Sequence, residues 1–311
     1  MGFHDVNMTR SVQVVQVSFL GLSYVKEWWL IPTIVITTTL CAALLHACWN
    51  ALAKGAADKH LSMAGVIIGH LPFAIIGLMF VPMPDLACWP YLLGSMVFHF
   101  GYQVFLLNSY RIGDLTQVYP VARGITPLIV AMVSVSFLNV LLDWQEVVAI
   151  ALIGTGLLLL GLVRGHGGAR NPKAAMLAAI TGCFIAGYSL VDGLGARVAG
   201  TAIGFYGGSA IGNALIFAAF MRLSKPDTLG RLCSEGLFVL IFGGAASYTA
   251  YALVVWGFLQ APIALVTALR ETSIIFALFI GVFLMKKRLD LFKVGSTFLT
   301  LVGAILMRFA H

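Results

Sequence analysis

The sequence has little charge. Only 10% of its 311 residues are charged, while 60% are hydrophobic; an ordinary soluble domain has about 25% charged residues. This composition excludes a typical soluble protein and indicates one that crosses a membrane several times. The five cysteines are scattered and form no Cys-x-x-Cys pair, so the sequence indicates neither a disulfide framework nor a zinc site.

The chain also lacks the short motifs of common enzymes. It contains neither a GxxxxGK phosphate-binding loop nor a GxSxG nucleophile motif, and no helix carries a cluster with metal-ligand spacing. We therefore predict no catalytic residues, no metal and no cofactor, and do not expect ATP to supply energy. The net charge is +7, and the basic residues lie mostly in short loops between apolar runs, where they set the orientation of the chain in the membrane. The lipid bilayer, not nucleic acid, is the expected partner.

Ten apolar runs are long enough to span a bilayer, because a spanning helix needs about 20 residues. They cover approximately residues 30–53, 62–82, 88–110, 115–138, 144–163, 174–195, 201–221, 236–258, 262–285 and 290–309. The lead-in at 1–28 is more polar, and its composition allows an unstructured or an interfacial segment.

The longest loop, residues 164–173, divides the ten runs into five and five, which predicts an internal repeat. A shift of 147 residues superposes Arg123 on Arg270 and Gly156 on Gly303. Because each half has an odd number of spans, the second half must be inverted in the membrane. We predict an all-α integral membrane fold of ten transmembrane helices in two inverted five-helix repeats. The units are the lead-in 1–28, a first repeat at 29–165 and a second repeat at 166–311.

Three stretches carry a resemblance to a known family: HACWNALAK (46–54), GDLTQVYPVARGITPL (113–128) and RLDLFKVGSTFLTLVGAIL (288–306). With them, the chain after residue 29 resembles a ten-helix drug/metabolite transporter of the EamA type. The resemblance implies a multi-pass protein of the cell membrane, such as the bacterial inner membrane. It also implies a secondary transporter that exports amino acids or other small metabolites by alternating access around a central cavity. The chain departs from the family where its fourth and ninth spans end, because the usual Gly-Glu pair is missing.

Two arginines lie deep in apolar runs. A guanidinium is costly in hydrocarbon, so Arg123 and Arg270 are expected to face a cavity and hold a carboxylate or phosphate. The alternative is a permanent pair with Glu271, Asp192 or a helix-end carbonyl. Neighbours in a helix point about 100° apart, so Arg270 and Glu271 are not expected to face one point. Glu271 and Asp192 are the predicted coupling groups, with protons as the coupling ion.

Polar and aromatic side chains on other runs complete the predicted site. His46, Trp49 and Asn50 share one helical face that is too polar for lipid. The predicted substrate-binding residues are Arg123, Trp49, Asn50, His46, Tyr102, Gln103, Tyr119, Tyr251 and Arg270. They suit a small polar metabolite such as an amino acid or an organic anion.

Two other functions and two orientations remain open. One alternative is an intramembrane enzyme in which His46, His70 and His99 gather around a metal or a lipid substrate. The other is a flippase component for a lipid-linked headgroup. Most loop lysines and arginines lie on the side of the 164–173 loop, which favours termini outside the cell. The family resemblance implies cytoplasmic termini instead. The sequence allows a monomer or a homodimer.

Overall fold

The computed structural model describes residues 14–17, 22–25, 33–55, 58–113, 115–162, 171–280 and 291–308. Strands β1 (Val14–Val17) and β2 (Leu22–Val25) form one antiparallel hairpin inside the predicted lead-in. The helices are α1 (Thr33–Gly55), α2 (Lys59–Ile68), α3 (His70–Leu78), α4 (Trp89–Ile112), α5 (Leu115–Phe137), α6 (Trp144–Leu162), α7 (Pro172–Ala199), α8 (Ala202–Ser224), α9 (Pro226–Gly230), α10 (Gly244–Gln260), α11 (Ile263–Glu271), α12 (Ser273–Phe279) and α13 (Leu291–Arg308). Most of the predicted 164–173 loop lies outside the described residues.

Each of the ten apolar runs contains a helix, and two runs are interrupted. Gly69 separates α2 from α3, and Thr272 separates α11 from α12. The hydroxyl of Thr272 donates to the carbonyl of Leu269 at 2.6 Å, a local bond that competes with the regular helical pattern. A turn of π-helix, Val239–Gly243, leads into α10.

Within the described residues, six helical stretches are long and apolar enough to cross a membrane. They are Thr33–Asn50, Lys59–Leu78, Val118–Phe137, Pro172–Ala199, Ala202–Ser224 and Val239–Gln260. Phe80 and Leu223 lie mostly exposed on the outer surface, whereas Phe205 and Phe258 are fully buried. Large apolar side chains on the outside suit contact with lipid. The described chain thus has the architecture of a multi-pass α-helical membrane protein.

Capping residues fix several helix boundaries. The carboxylate of Asp58 accepts from the backbone N–H groups of His60 and Leu61 at the start of α2. The side chain of Asn171 accepts from the N–H groups that open α7. Gly200 ends α7 with φ of +72°, a left-handed conformation that glycine adopts without steric cost. Gly200, together with Thr201 at the start of α8, explains why α7 and α8 stay separate although few residues join them.

Several helix pairs approach at backbone distance through glycine, among them α10 with the junction of α2 and α3, and α6 with α13. A Cβ atom on Gly244 would lie 2.7 Å from the Cα atom of Gly69, so α10 touches the junction of α2 and α3 directly. In the second pair, α6 against α13, a Cβ atom on Gly156 would lie 2.8 Å from the carbonyl oxygen of Ser296. A Cβ atom on Gly303 would lie at the same 2.8 Å from the carbonyl oxygen of Ala149. Small residues allow such contact between membrane helices.

Candidate functional site

A central cavity lies between helices α1–α4 and helices α7, α8 and α10. Its empty space amounts to about 600 Å³, counting its open mouth. Five of the side chains that line it carry a large aromatic ring: Trp49, Tyr102, Tyr188, Tyr206 and Tyr251. Aromatic walls with a few polar groups are typical of sites for small molecules.

The aromatic walls of the cavity are in mutual contact. The ring of His99 stacks on that of Tyr188 with centroids 4.0 Å apart and an interplanar angle of 10°. The ring of Tyr206 meets that of Tyr251 at 4.8 Å, and the ring of Tyr102 meets that of Tyr188 at 5.8 Å. These contacts join α4, α7, α8 and α10, so the wall is one packed surface rather than separate side chains.

Four polar side chains in the cavity wall have a buried atom without a hydrogen-bond partner among the described residues. These atoms are His46 Nε2, His70 Nε2, Gln103 Oε1 and Asn213 Oδ1. Trp49 Nε1 donates to His46 Nδ1 at 3.2 Å, so a neutral His46 carries its own proton on Nε2. Buried polar atoms in proteins are normally paired. Each of these four side chains therefore keeps an unused donor or acceptor within the cavity wall.

Asp192 lies directly behind the cavity wall. It is fully buried, and its Oδ2 accepts from the hydroxyl of Tyr251 at 2.7 Å and lies 3.0 Å from His99 Nε2. Its Oδ1 has no partner within the described chain. On the same helix, the guanidinium of Arg197 donates to the carbonyls of Phe258 and Ala261. We call Asp192, His99 and Tyr251 the acid triad.

Arg123, Arg270 and Glu271 form a separate ionic cluster. Arg123 Nη1 donates to Glu271 Oε2 at 2.8 Å, and Arg270 Nη2 donates to Glu271 Oε1 at 2.9 Å. The expectation that Arg270 and Glu271 could not face one point is wrong, because the long arginine side chain bends back to its neighbour at the end of α11. All three side chains are buried, and neither arginine lines the cavity. The geometry corresponds to the permanent pair with Glu271 that the sequence left open.

The structure divides the other predicted site residues. His46, Trp49, Tyr102, Gln103 and Tyr251 all line the cavity.

Asn50 and Tyr119 do not line it. The amide of Asn50 donates to the carbonyl of His46 in its own helix at 2.7 Å. The ring of Tyr119 lies under Arg123, 5.1 Å from the guanidinium carbon. Both residues therefore support neighbouring side chains instead of reaching the cavity.

Sequence reasoning missed two cavity tyrosines, Tyr188 and Tyr206. Both could have been found from helical spacing. Tyr206 shares a face of α8 with Ser209 and Asn213, three and seven residues later, and Tyr188 lies one turn before Asp192. Such polar faces inside apolar runs are the signal that identified Trp49 in the first run.

A second charged group lies outside the membrane-spanning segments. Arg231 Nη1 donates to Asp58 at 2.9 Å, and its Nε and Nη2 donate to Glu235 at 3.0 and 2.7 Å. The hydrogen bonds from Arg231 hold the pKa of Glu235 below its ordinary value. Partial burial acts to raise the pKa of Asp58, but the N–H of Leu61 and the Arg231 guanidinium together lower it. The contact between Arg231 and Asp58 joins the start of α2 to the segment after α9.

The three histidines named for the enzyme alternative, His46, His70 and His99, do line one cavity. No group of three or more His, Cys, Asp or Glu side chains is arranged to hold a metal ion in the part of the chain that the structure describes.

Neither a protein-family model nor a curated protein matches the chain. A solved structure described only as "Crystal structure of protein" is similar to it over 89% of this chain and 97% of its own, with a TM-score of 0.70 and 21% identity. At this identity the similarity shows the fold alone. The architecture is therefore shared by another protein, and the site must be interpreted from its own chemistry.

Proposed function

We propose that this chain is a secondary-active transporter that carries a small polar metabolite through the central cavity by alternating access. The observation that carries the proposal is the cavity itself, which has aromatic walls and four polar side chains with unpartnered buried atoms. Helices from both predicted halves build it, as expected where a substrate lies between two repeats. The resemblance to drug/metabolite transporters of the EamA type agrees with this function and favours export.

The proposed architecture has ten membrane-spanning helices in two inverted repeats. The shift of 147 residues that superposes Gly156 on Gly303 also superposes Ala149 on Ser296. Gly156 contacts Ser296, and Gly303 contacts Ala149. Such a reciprocal contact is what a two-fold axis produces between related segments. The same shift maps α6 onto α13 and α4 onto the π-turn with α10.

The chemistry of the cavity favours a solute with a flat ring and several hydrogen-bonding groups. The rings of Trp49 and Tyr102 offer faces for stacking, and Gln103 and Asn213 offer acceptors. An aromatic amino acid or a nucleoside has this combination. A simple organic anion has less support, because both buried arginines are already engaged by Glu271.

Exchange measurements on the purified protein test the function. Proteoliposomes loaded with L-tryptophan, L-glutamate, citrate or uridine are assayed for uptake of the same radiolabelled solute by counterflow. We expect exchange of L-tryptophan or uridine well above that of protein-free liposomes. Failure to exchange any member of the panel would contradict the proposed carrier for these solute classes.

A matched pair of asparagines provides the control for this assay. Asn213→Ala removes an unpartnered acceptor from the cavity and should weaken apparent solute affinity about 2- to 12-fold, the value of one hydrogen bond. Asn108 donates to the carbonyl of Val104 in its own helix and does not line the cavity, so Asn108→Ala should exchange normally. Equal losses in both variants would place the binding site elsewhere.

One observation favours the enzyme alternative: His46, His70 and His99 all line the cavity. In that case the cavity would bind a lipid or another substrate for chemistry. Conversion of a panel solute to a new product by the purified protein, detected by mass spectrometry, would support the enzyme over the carrier. Release of unchanged solute supports the carrier.

A further inference from the structure

Two buried carboxylates are candidates for coupling transport to an ion gradient, and their surroundings differ. Both oxygens of Glu271 accept from guanidinium groups: Oε2 from Arg123, and Oε1 from Arg270. If Glu271 lost its charge, two buried guanidinium groups would face a neutral side chain. A buried charge that loses its partner is strongly destabilising, because nothing compensates its removal from water. Glu271 is therefore poorly placed to take up and release a proton in every transport cycle.

Asp192 has the opposite surroundings. No arginine or lysine side chain is bonded to it in the described chain; its Oδ2 contacts Tyr251 and His99, and its buried Oδ1 has no partner. A carboxylate with a free oxygen and an imidazole neighbour can accept a proton without breaking an ion pair to a permanent cation. Ionisable side chains of this kind within a membrane commonly mark proton relays.

The acid triad is also one side chain away from the solute. His99 and Tyr251 both line the cavity, while Asp192 lies behind them. The side chain of His99 is 12% exposed and that of Asp192 is 0% exposed, so a proton from cavity water reaches the carboxylate through the imidazole. A solute that stacks against Tyr251 or against His99 therefore touches a side chain that contacts Asp192.

Other titratable and charged groups lie on the elements packed around this part of α7. Besides His99 and Tyr251 of the acid triad, they include Tyr188 and Arg197 on α7 itself, Tyr102 on α4, Arg123 on α5, Tyr206 on α8, and Arg270 and Glu271 on α11. Of these, Arg123 and Arg270 are engaged by Glu271, and Arg197 donates to carbonyls. Besides the hydroxyl of Tyr251, the imidazole of His99 is the ionisable group that contacts Asp192 in the described chain.

We propose that the acid triad, and not Glu271, is the proton-binding site that couples solute movement to a pH gradient, an inference that rests on the proposed carrier function. One proton enters from the water in the cavity, and the Asp192–His99 pair changes from a net charge of −1 to 0. The same proton leaves to the water on the other side when the cavity opens there. Solute binding at Tyr251 and His99 and proton binding at Asp192 then influence each other through shared contacts.

Proton binding is tested first without any solute. Infrared difference spectra of the full-length protein in detergent, recorded during a pH titration, report the C=O stretch of protonated carboxyl groups. We expect a titrating carboxyl band that is absent in Asp192→Asn. It should persist in Glu146→Gln, which changes another buried carboxylate outside the cavity. Tyr251→Phe should move the midpoint of the band, because the hydroxyl that donates to Asp192 is lost. A band unaffected by Asp192→Asn overturns the proposal.

Transport is tested second, with the panel solute that the wild-type protein exchanges. If one proton moves per solute, a gradient of about one pH unit can concentrate the solute about tenfold. We expect Asp192→Asn to lose this accumulation while exchange at equal pH falls much less. Accumulation that persists in Asp192→Asn, or a parallel loss of accumulation and exchange in a folded protein, overturns the proposal. Absence of exchange in the wild type would contradict the carrier function instead, and the infrared titration would still decide whether Asp192 binds a proton.

Discussion

The ionic cluster and the central cavity are two polar regions buried among the same apolar helices, and they differ in how their polar atoms are satisfied. In the ionic cluster, both oxygens of Glu271 accept from arginine. In the cavity, the polar side chains His46, His70, Gln103 and Asn213 each keep a buried atom without a partner among the described residues. A buried carboxylate with both oxygens paired indicates a structural role. Unpaired polar atoms in a cavity wall indicate a place where a ligand completes the contacts.

The two regions also differ in their relation to the proposed repeat. The shift of 147 residues superposes Arg123 on Arg270, so the ionic cluster contains equivalent residues from both halves. The same shift places Leu45 opposite Asp192, so the acid triad has no counterpart in the first half. Within the ionic cluster only the two arginines are equivalent, because the same shift places Glu271 opposite Gly124, so both buried carboxylates lie where the predicted halves differ.

Removal of Glu271 should have the largest effect on stability. Glu271→Gln leaves Arg123 and Arg270 buried without a counter-ion, a change that costs about 3–5 kcal/mol. We expect a large decrease of the unfolding temperature in detergent. Arg123→Met should cost clearly less, because the pair of Arg270 and Glu271 stays balanced. If both substitutions were harmless, the ionic cluster would not be structural, and the comparison with the cavity would lose its basis.

The glycine contact between α6 and α13 should give the next largest effect. Gly156→Leu and Gly303→Leu each push a side chain into the backbone of the other helix, and overpacking costs about 1–3 kcal/mol. The two losses of unfolding free energy should be similar, because the contacts are reciprocal. Gly295→Leu on α13 is the control, since a Cβ atom there meets nothing within 4 Å. Strongly unequal losses would argue against a two-fold relation between the halves.

Trp49 and Asn50 are adjacent in sequence, but only Trp49 lines the cavity. Variants at the two positions therefore test where the cavity wall ends. Trp49→Ala removes an aromatic wall and should weaken apparent solute affinity about 2- to 12-fold, as expected for one aromatic contact. Among the described residues, Asn50 hydrogen-bonds within its own helix and does not line the cavity, so Asn50→Ala should change affinity much less. Counterflow at several solute concentrations, corrected for protein abundance, measures both. A larger loss in Asn50→Ala would mean that the cavity wall has been assigned wrongly.

Acidification should have the smallest effect on stability. It acts on Asp58 and Glu235, the two carboxylates that Arg231 contacts outside the membrane-spanning segments. The folded-state pKa values of Asp58 and Glu235 lie below their ordinary values. The stability that both carboxylates contribute is therefore present above the ordinary carboxyl range and is lost as pH falls through the lower folded values. We expect a slight decrease of the unfolding temperature in acid that is smaller in Arg231→Gln. An equal decrease in that variant would assign the acid sensitivity to other groups.

The sequence predicted the helices well, because each apolar run contains one, but it did not predict the interruption at Thr272. The polar stretch RETS at 270–273 interrupts the apolar run at this point, but residue type alone does not show that Thr272 hydrogen-bonds to Leu269 and ends α11. The ten spans and the repeat stay predictions. Among site residues, side-chain type and helical face identified Trp49 and Tyr251. The bond between His99 and Asp192 joins residues 93 positions apart, and only the packing of α4 on α7 brings them together.

The contact of Gly69 with Gly244 has a mechanical consequence. A side chain between two helices can absorb a displacement by changing its rotamer, but two touching backbones have no such soft element. His70 follows Gly69 directly, and Tyr251 lies two turns after Gly244 on α10. We therefore expect a tilt of α10 to displace the start of α3 directly, because no side chain lies between the two backbones to absorb it. His70 and Tyr251 both line the cavity and are then expected to move together, so one displacement would change both the wall that a solute touches and the hydroxyl that donates to Asp192.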